Sequence, residues 1–182
     1  MEFLTRINKL HVVFLSLFAV VVYAHQKGEW HTWTNADKTI SISYPDEWTE
    51  MKLDAGEIVA FVAPKTDAND KYPDMLLLRA FPDSGIKDID HYKSFAQTTL
   101  SPKWNFKITS SQKITAGKKE YIKSIAEDSK RDVVLVMYTL LKEDRIFFLT
   151  LNVEKRNYEN YKSVGQRAFD SLAIGRQWVT EK

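Results

Sequence analysis

The chain of 182 residues has room for one domain of ordinary size and little else. Hydrophobic residues at 44% and charged residues at 27% describe a folded globular protein, and 26 Lys and Arg against 24 Asp and Glu leave a formal charge of +2. That balance excludes a dedicated nucleic-acid or anionic-lipid binder, and the absence of cysteine removes disulfides, thiolate metal sites, iron–sulfur ligation and cysteine nucleophiles together.

Residues 1–24 have the three parts of a secretory signal. Arg6 and Lys9 supply the positive start, Val12 to Val22 form an uncharged apolar run, and Val22-Tyr23-Ala24 offers small residues where a signal peptidase reads. A spanning helix wants about 20 apolar residues, and this run has 11 before Tyr23 and His25. The reading is therefore cleavage after Ala24, leaving residues 25–182 as a single domain in the periplasm or secreted, with no membrane span after cleavage. Without a cysteine beyond the apolar run, a lipoprotein anchor is excluded.

Past a polar tail, Trp30 and Trp33 precede a turn at Asn35-Ala36-Asp37-Lys38. Ile40, Ile42 and Tyr44 then alternate with polar residues, the period of a half-buried strand. Pro45 stops it. Gly56 to Ala63 predicts a second strand and Met75 to Phe81 a third, with a polar loop from Lys65 to Asp74 between them. A helix follows, capped by Asp88 or Asp90, with Ile89, Tyr92, Phe95, Ala96 and Leu100 at helical spacing until Pro102 ends it. Strands resume at Phe106–Thr115 and Lys119–Glu127 around a Gly117-Lys118 turn. Val133–Leu141 and Ile146–Val153 flank a tight polar link as a hairpin, with Phe148 in mid-strand. Both hairpin strands are apolar on two faces, so each face needs a cover. A second helix at about 157–172 supplies one, with Asn157 at the N-cap position. The order predicts an α+β fold, an antiparallel β-sheet sandwiched between helices.

The segment Ile40-Ser41-Ile42-Ser43-Tyr44-Pro45-Asp46-Glu47-Trp48 resembles the opening of the PsbP-like family, a strand running into a Tyr-Pro-x-x-Trp turn. Tyr92 and Phe95 in the first helix, and Phe169, Ser171 and Leu172 closing the second, extend the resemblance over about residues 30–175. The resemblance implies an α/β/α sandwich and an accessory role without enzymatic activity. Since a fold does not fix a function, the photosynthetic role of the best-known members does not come with it.

No complete catalytic set is visible. Gly-x-Ser-x-Gly, His-Glu-x-x-His, Gly-x-Gly-x-x-Gly and the phosphate loop are all missing, and His91, between Asp90 and Tyr92 on the first helix, reads as a surface residue, since a base must be positioned by a partner. Asp67, Asp70 and Asp74 lack calcium-loop spacing and read as a solvated loop. Cleavage after Ala24 would make His25 the first residue, whose amine and imidazole can chelate Cu(II), with His31 as a further nitrogen. Tyr72, the one aromatic of the loop Lys65–Pro73, is the candidate partner-binding residue. The leading expectation is a non-catalytic accessory protein that binds an envelope protein or component. A copper-binding protein using His25 and His31 is the alternative, and a hydrolase the second; no cofactor other than that copper is expected.

Overall fold

A computed structural model of the chain describes residues 28–51, 53, 57–82, 85–86, 88–96, 106–128, 130–142 and 145–175. The chain divides into two units at Trp30 and His31. Of the first, only residues 28–30 are described, so the segment 1–24 expected to be a secretory signal and His25 lie outside the described residues. The described residues from His31 onward belong to the second unit.

The described strands are β1 (Trp30–Thr34), β2 (Ile40–Pro45), β3 (Thr49–Met51), β4 (Glu57–Val62), β5 (Met75–Pro82), β6 (Lys107–Ala116), β7 (Lys119–Asp128), β8 (Val133–Lys142), β9 (Arg145–Glu154) and β10 (Ala173–Ile174). Helix α1 (Ile89–Phe95) falls between β5 and β6, and α2 (Tyr158–Ser171) follows β9 after a 3-10 turn at Lys155–Asn157. One sheet has the order β3-β4-β5-β9-β8-β7-β6, and a smaller one the order β1-β2-β10. Every pairing in the larger sheet is antiparallel. After β5 the chain crosses through α1 to the far edge, then returns strand by strand as a meander until β9 pairs with β5.

The turns explain the meander. Gly117 has a φ of +62°, a conformation that only glycine adopts freely, and it lies in the two-residue link between the paired Ala116 and Lys119. Lys142 pairs with Arg145 across an equally short link. These registers place Tyr121, Tyr138 and Leu151 on one face of the sheet and Ile122, Thr139 and Phe148 on the other.

Each face has its helix. On the first, Phe169 of α2 stacks on Tyr138 with ring centres 4.9 Å apart and leans on Tyr121 at 4.5 Å. Gly165 lets the helix sit close, because a Cβ there would lie 3.2 Å from Leu151 Cβ. On the second face, Ile86, Ile89, Tyr92 and Ala96 cluster with Ile122 and Ile146, and Phe95, Leu141 and Phe148 pack against them. Asp88, not Asp90, caps α1, its Oδ1 accepting the His91 amide at 2.7 Å.

The Tyr44–Trp48 segment is structural. Tyr44 stacks on Phe61 at 3.9 Å, Trp48 is buried edge-on against Tyr161 of α2, and the Trp48 amide returns to the Pro45 carbonyl at 3.0 Å. Ser171 closes the smaller sheet onto α2, its Oγ accepting the Ser43 amide at 2.8 Å. The short strands β1, β3 and β10 are additions to the sequence expectation; at five, three and two residues they are too brief to show a period.

Asn157 departs from its expected part. Its φ and ψ are helical, and its side chain makes no capping bond. The amide group instead turns away from α2 to the loop before β5.

Candidate functional site

β5 begins, β7 ends and β9 ends at the same edge of the sheet, since Val133 pairs with both Asp128 and Glu154 and Met75 pairs with Asn152. Each strand carries an acid there: Asp74 just before β5, Asp128 closing β7 and Glu154 closing β9. All three are buried.

Asp74 was expected to be solvated with its loop, yet it is only 6% exposed. Its Oδ1 accepts the Glu154 amide at 2.7 Å and its Oδ2 accepts Asn157 Nδ2 at 2.6 Å. The second of these bonds is why Asn157 is not a cap. Glu154 Oε1 accepts the amides of Lys71 at 2.6 Å and Tyr72 at 3.1 Å, so the loop backbone is pinned to the end of β9. Arg156 completes the clamp, donating from Nε to Glu154 Oε2 and from Nη1 to Asp67 Oδ2, both at 2.8 Å, with Nη2 on Asp70. Asp70 also accepts from Thr66 Oγ1 at 3.0 Å and from the Asp67 amide at 3.2 Å. The β7–β8 turn has the same construction. Asp128 Oδ1 accepts the Lys130 and Arg131 amides at 3.0 and 3.1 Å, and its Oδ2 accepts Arg131 Nε at 2.7 Å. Asp132 takes a φ of +56°, and its carbonyl accepts the Lys155 amide at 2.8 Å.

These environments move the carboxyl pKa values in opposite directions. Burial works to raise Glu154, but the Tyr72 and Lys71 amides and the Arg156 guanidinium hold it below the ordinary range. Arg131 above all, with its own amide and that of Lys130, lowers Asp128 despite burial. Asp70 is also lowered: burial opposes, but bonds from Thr66 and Asp67 prevail. Asp74 is raised, because burial outweighs its bonds to Glu154 and Asn157 and the neighbouring Asp70 and Glu154 charges add to the effect.

Between the pinned loop and the β7–β8 turn lies a cavity of about 320 Å³. Asn69, Lys71 and Tyr72 line it from the loop, Lys130, Arg131 and Asp132 from the turn, and Glu154 and Arg156 from the end of β9 and the 3-10 turn that follows. Tyr72 is 37% exposed while its backbone is fixed. A wider trough of about 870 Å³ runs beside Ile89, Leu141 and Leu172. Two of its lysines are engaged: Lys119 donates to the Leu172 carbonyl at 3.0 Å and Lys142 to that of Ile174.

The other expected site residues stand apart. His31, on β1, is exposed, its Nε2 meets Asp46 Oδ1, and its ring lies 6.0 Å from that of Tyr44. His91 is exposed on α1. Among the described residues, no three His, Asp or Glu side chains are grouped so as to hold a metal ion. The clamp residues Asp74, Asp128, Glu154, Arg156 and Asn157 were missed in the sequence. The signal that could have found three of them is an acid at each strand end on one edge of the sheet.

Seven antiparallel strands with a helix on each face, beside a small sheet that carries the Tyr-Pro-x-x-Trp turn, constitute the PsbP-like fold. The solved structure of cyanobacterial PsbP (CyanoP) from Synechocystis sp. PCC 6803 superimposes with a TM-score of 0.60 at 10% identity, covering 81% of this chain and 93% of that one. LpqN of Mycobacterium tuberculosis, described as involved in cell envelope biogenesis, gives 0.53 at 17% identity over 81% of this chain and 91% of its own. A Pseudomonas aeruginosa protein of unknown function gives 0.53 at 12% over 80% and 97%. At such identities the likeness is one of fold. No protein-family model and no curated protein sequence matches the chain.

Proposed function

We propose that the chain is an exported, non-catalytic accessory protein that binds an envelope protein or component through the face carrying Tyr72. The observation that carries this reading is the pinned loop: an aromatic ring is held out to solvent while Glu154 fixes its backbone at 3.1 Å. A preordered aromatic loses little freedom on binding, which is what recognition loops on rigid sheets exploit. Residues 1–24 support export, and removal of that segment would leave residues 25–182 in the periplasm or outside the cell. The likeness to LpqN, a protein of cell envelope biogenesis, supports the compartment. No described helix is long and apolar enough to cross a membrane.

Affinity capture from the native envelope, with Tyr72→Ala as the comparison, tests the reading. Lost capture at an unchanged unfolding midpoint supports recognition through Tyr72. Capture intact with lowered stability makes the residue a structural peg. N-terminal sequencing of exported protein should begin His25-Gln26-Lys27. The copper alternative needs His31 to exchange Asp46 for a metal shared with His25, and Cu(II) titration of exported protein decides it. A hydrolase would show turnover lost in His91→Ala.

A further inference from the structure

Resting on the reading that this face binds, we infer that the cavity beside Tyr72 takes an oxyanion, a phosphoryl or carboxylate group, between Lys71 and Lys130. Three charged side chains of the lining already have partners. Glu154 has both oxygens engaged, one by two backbone amides and the other by Arg156. Arg156 in turn has its three nitrogens on Glu154, Asp67 and Asp70. Arg131 places Nε on Asp128 and its guanidinium 5.9 Å from the Phe106 ring centre.

The Lys71 and Lys130 ammonium groups have no such partner among the described residues. The neighbouring Lys155 shows the contrast, since it reaches Glu127 at 3.0 Å. Each ammonium brings three donors and no acceptor, so the open hydrogen-bonding capacity of the cavity is mostly donating. Charged donors facing a recess select an anionic acceptor, with shorter and stronger bonds than a neutral one makes.

One group opposes. Asp132 lines the same cavity, and among the described residues only its backbone carbonyl has a partner, the Lys155 amide. Its carboxylate repels an anion, so its charge tunes the site. A cation is the poorer fit, because the other carboxylate of the lining, Glu154, has no oxygen to offer without releasing either the Lys71 and Tyr72 amides or Arg156. At about 320 Å³ the cavity admits one acidic group with the few atoms that bear it, such as a single acidic sugar against the flat Tyr72 ring.

The test is an NMR titration of the exported protein, at constant ionic strength, with inorganic phosphate and separately with glucuronate. Saturable shifts at the Tyr72, Lys130 and Arg131 amides are expected, with dissociation constants of roughly millimolar order. K71A/K130A should weaken binding by roughly tenfold or more, and D132N should tighten it. Response to phosphate alone assigns a phosphoryl group, response to glucuronate alone a carboxylate. No saturable shift up to about 50 mM, or equal constants in wild type and K71A/K130A at matching unfolding midpoints, overturns the inference. Partner capture that depends on Tyr72 without anion binding sinks the oxyanion alone; anion binding without Tyr72-dependent capture sinks the docking reading instead.

Discussion

Gly165→Ala sets two effects of known size against each other. Inside an exposed stretch of helix, replacing Gly by Ala stabilises by about 1 kcal/mol, since Ala loses less backbone freedom on folding. At Gly165 the new methyl would lie 3.2 Å from both Leu151 Cβ and Leu151 Cδ2 and 3.4 Å from Tyr138 Cε2. Cδ2 can rotate away, but Cβ is fixed to the backbone of β9, which is paired on both sides by β5 and β8. Relief requires α2 to lift off the sheet by a few tenths of an ångström, loosening Phe169 and Ala168 with it. Overpacking of this kind costs about 1–3 kcal/mol. With the fixed atom in the way, that cost cancels the propensity gain and the net result should be a loss of up to about 2 kcal/mol, a fall of up to roughly 8 °C in unfolding midpoint for a domain of this size. Circular dichroism melts of Gly165→Ala beside Ser163→Ala, an exposed site on the same helix, separate packing from propensity. A midpoint that rises in Gly165→Ala as it does in Ser163→Ala would refute the close seating of α2.

Tyr138→Phe should stabilise the fold: the ring is fully buried, its hydroxyl finds no partner among the described residues, and removing such a group recovers about 1 kcal/mol; a lowered urea midpoint would mean the hydroxyl is satisfied. Phe169→Ala should cost about 3–5 kcal/mol, and Phe148→Ala, at a half-buried ring, distinctly less; the reverse order by chemical denaturation would place the main core under α1. Acid should loosen the Tyr72 loop. Glu154, Asp128 and Asp70 have folded pKa values below their unfolded ones, so the stability they contribute is present above about pH 4 and lost as pH falls through the folded values. Asp74, raised by burial, works the other way and gains on protonation, but it is one group against three. Lower protection of the Lys71 and Tyr72 amides, with each rate corrected for intrinsic exchange, is the expected result as pH falls below about 4, and protection at neutral pH equal in wild type and Glu154→Gln would show that Glu154 does not hold the loop.

The fold was legible because its strongest signals are periodic. The two-sided apolar runs at Val133–Leu141 and Ile146–Val153 mark central strands, and these became β8 and β9 between two helices. Phe169, Ser171 and Leu172 close α2, as the resemblance implied. Strands β1, β3 and β10 had no such signal; they form where neighbours supply a ladder, as Ala173 and Ile174 do against Ser41 and Ile40. Tyr72 could be singled out as the loop's aromatic, but what fixes it could not be seen.

The reason lies in the double nature of a carboxylate beside a strand. In a polar loop it is ordinarily solvated, and Asp67, Asp70 and Asp74 share a composition that says only this. It can equally serve as a fixed acceptor for backbone amides that have left the ladder, and which of the two occurs depends on partners far away in sequence. Glu154 is 83 and 82 residues from the amides it accepts, and Asp74 80 from the Glu154 amide. Only the meander that brings β9 home to β5 makes them neighbours. Once that register exists, the loop and turn have amides in need of acceptors and the strand ends have acids to supply them. The strand-end acids are thereby used internally, and Lys71 and Lys130 are left lining the cavity. The proposed recognition surface is thus a consequence of how the strand ends are closed.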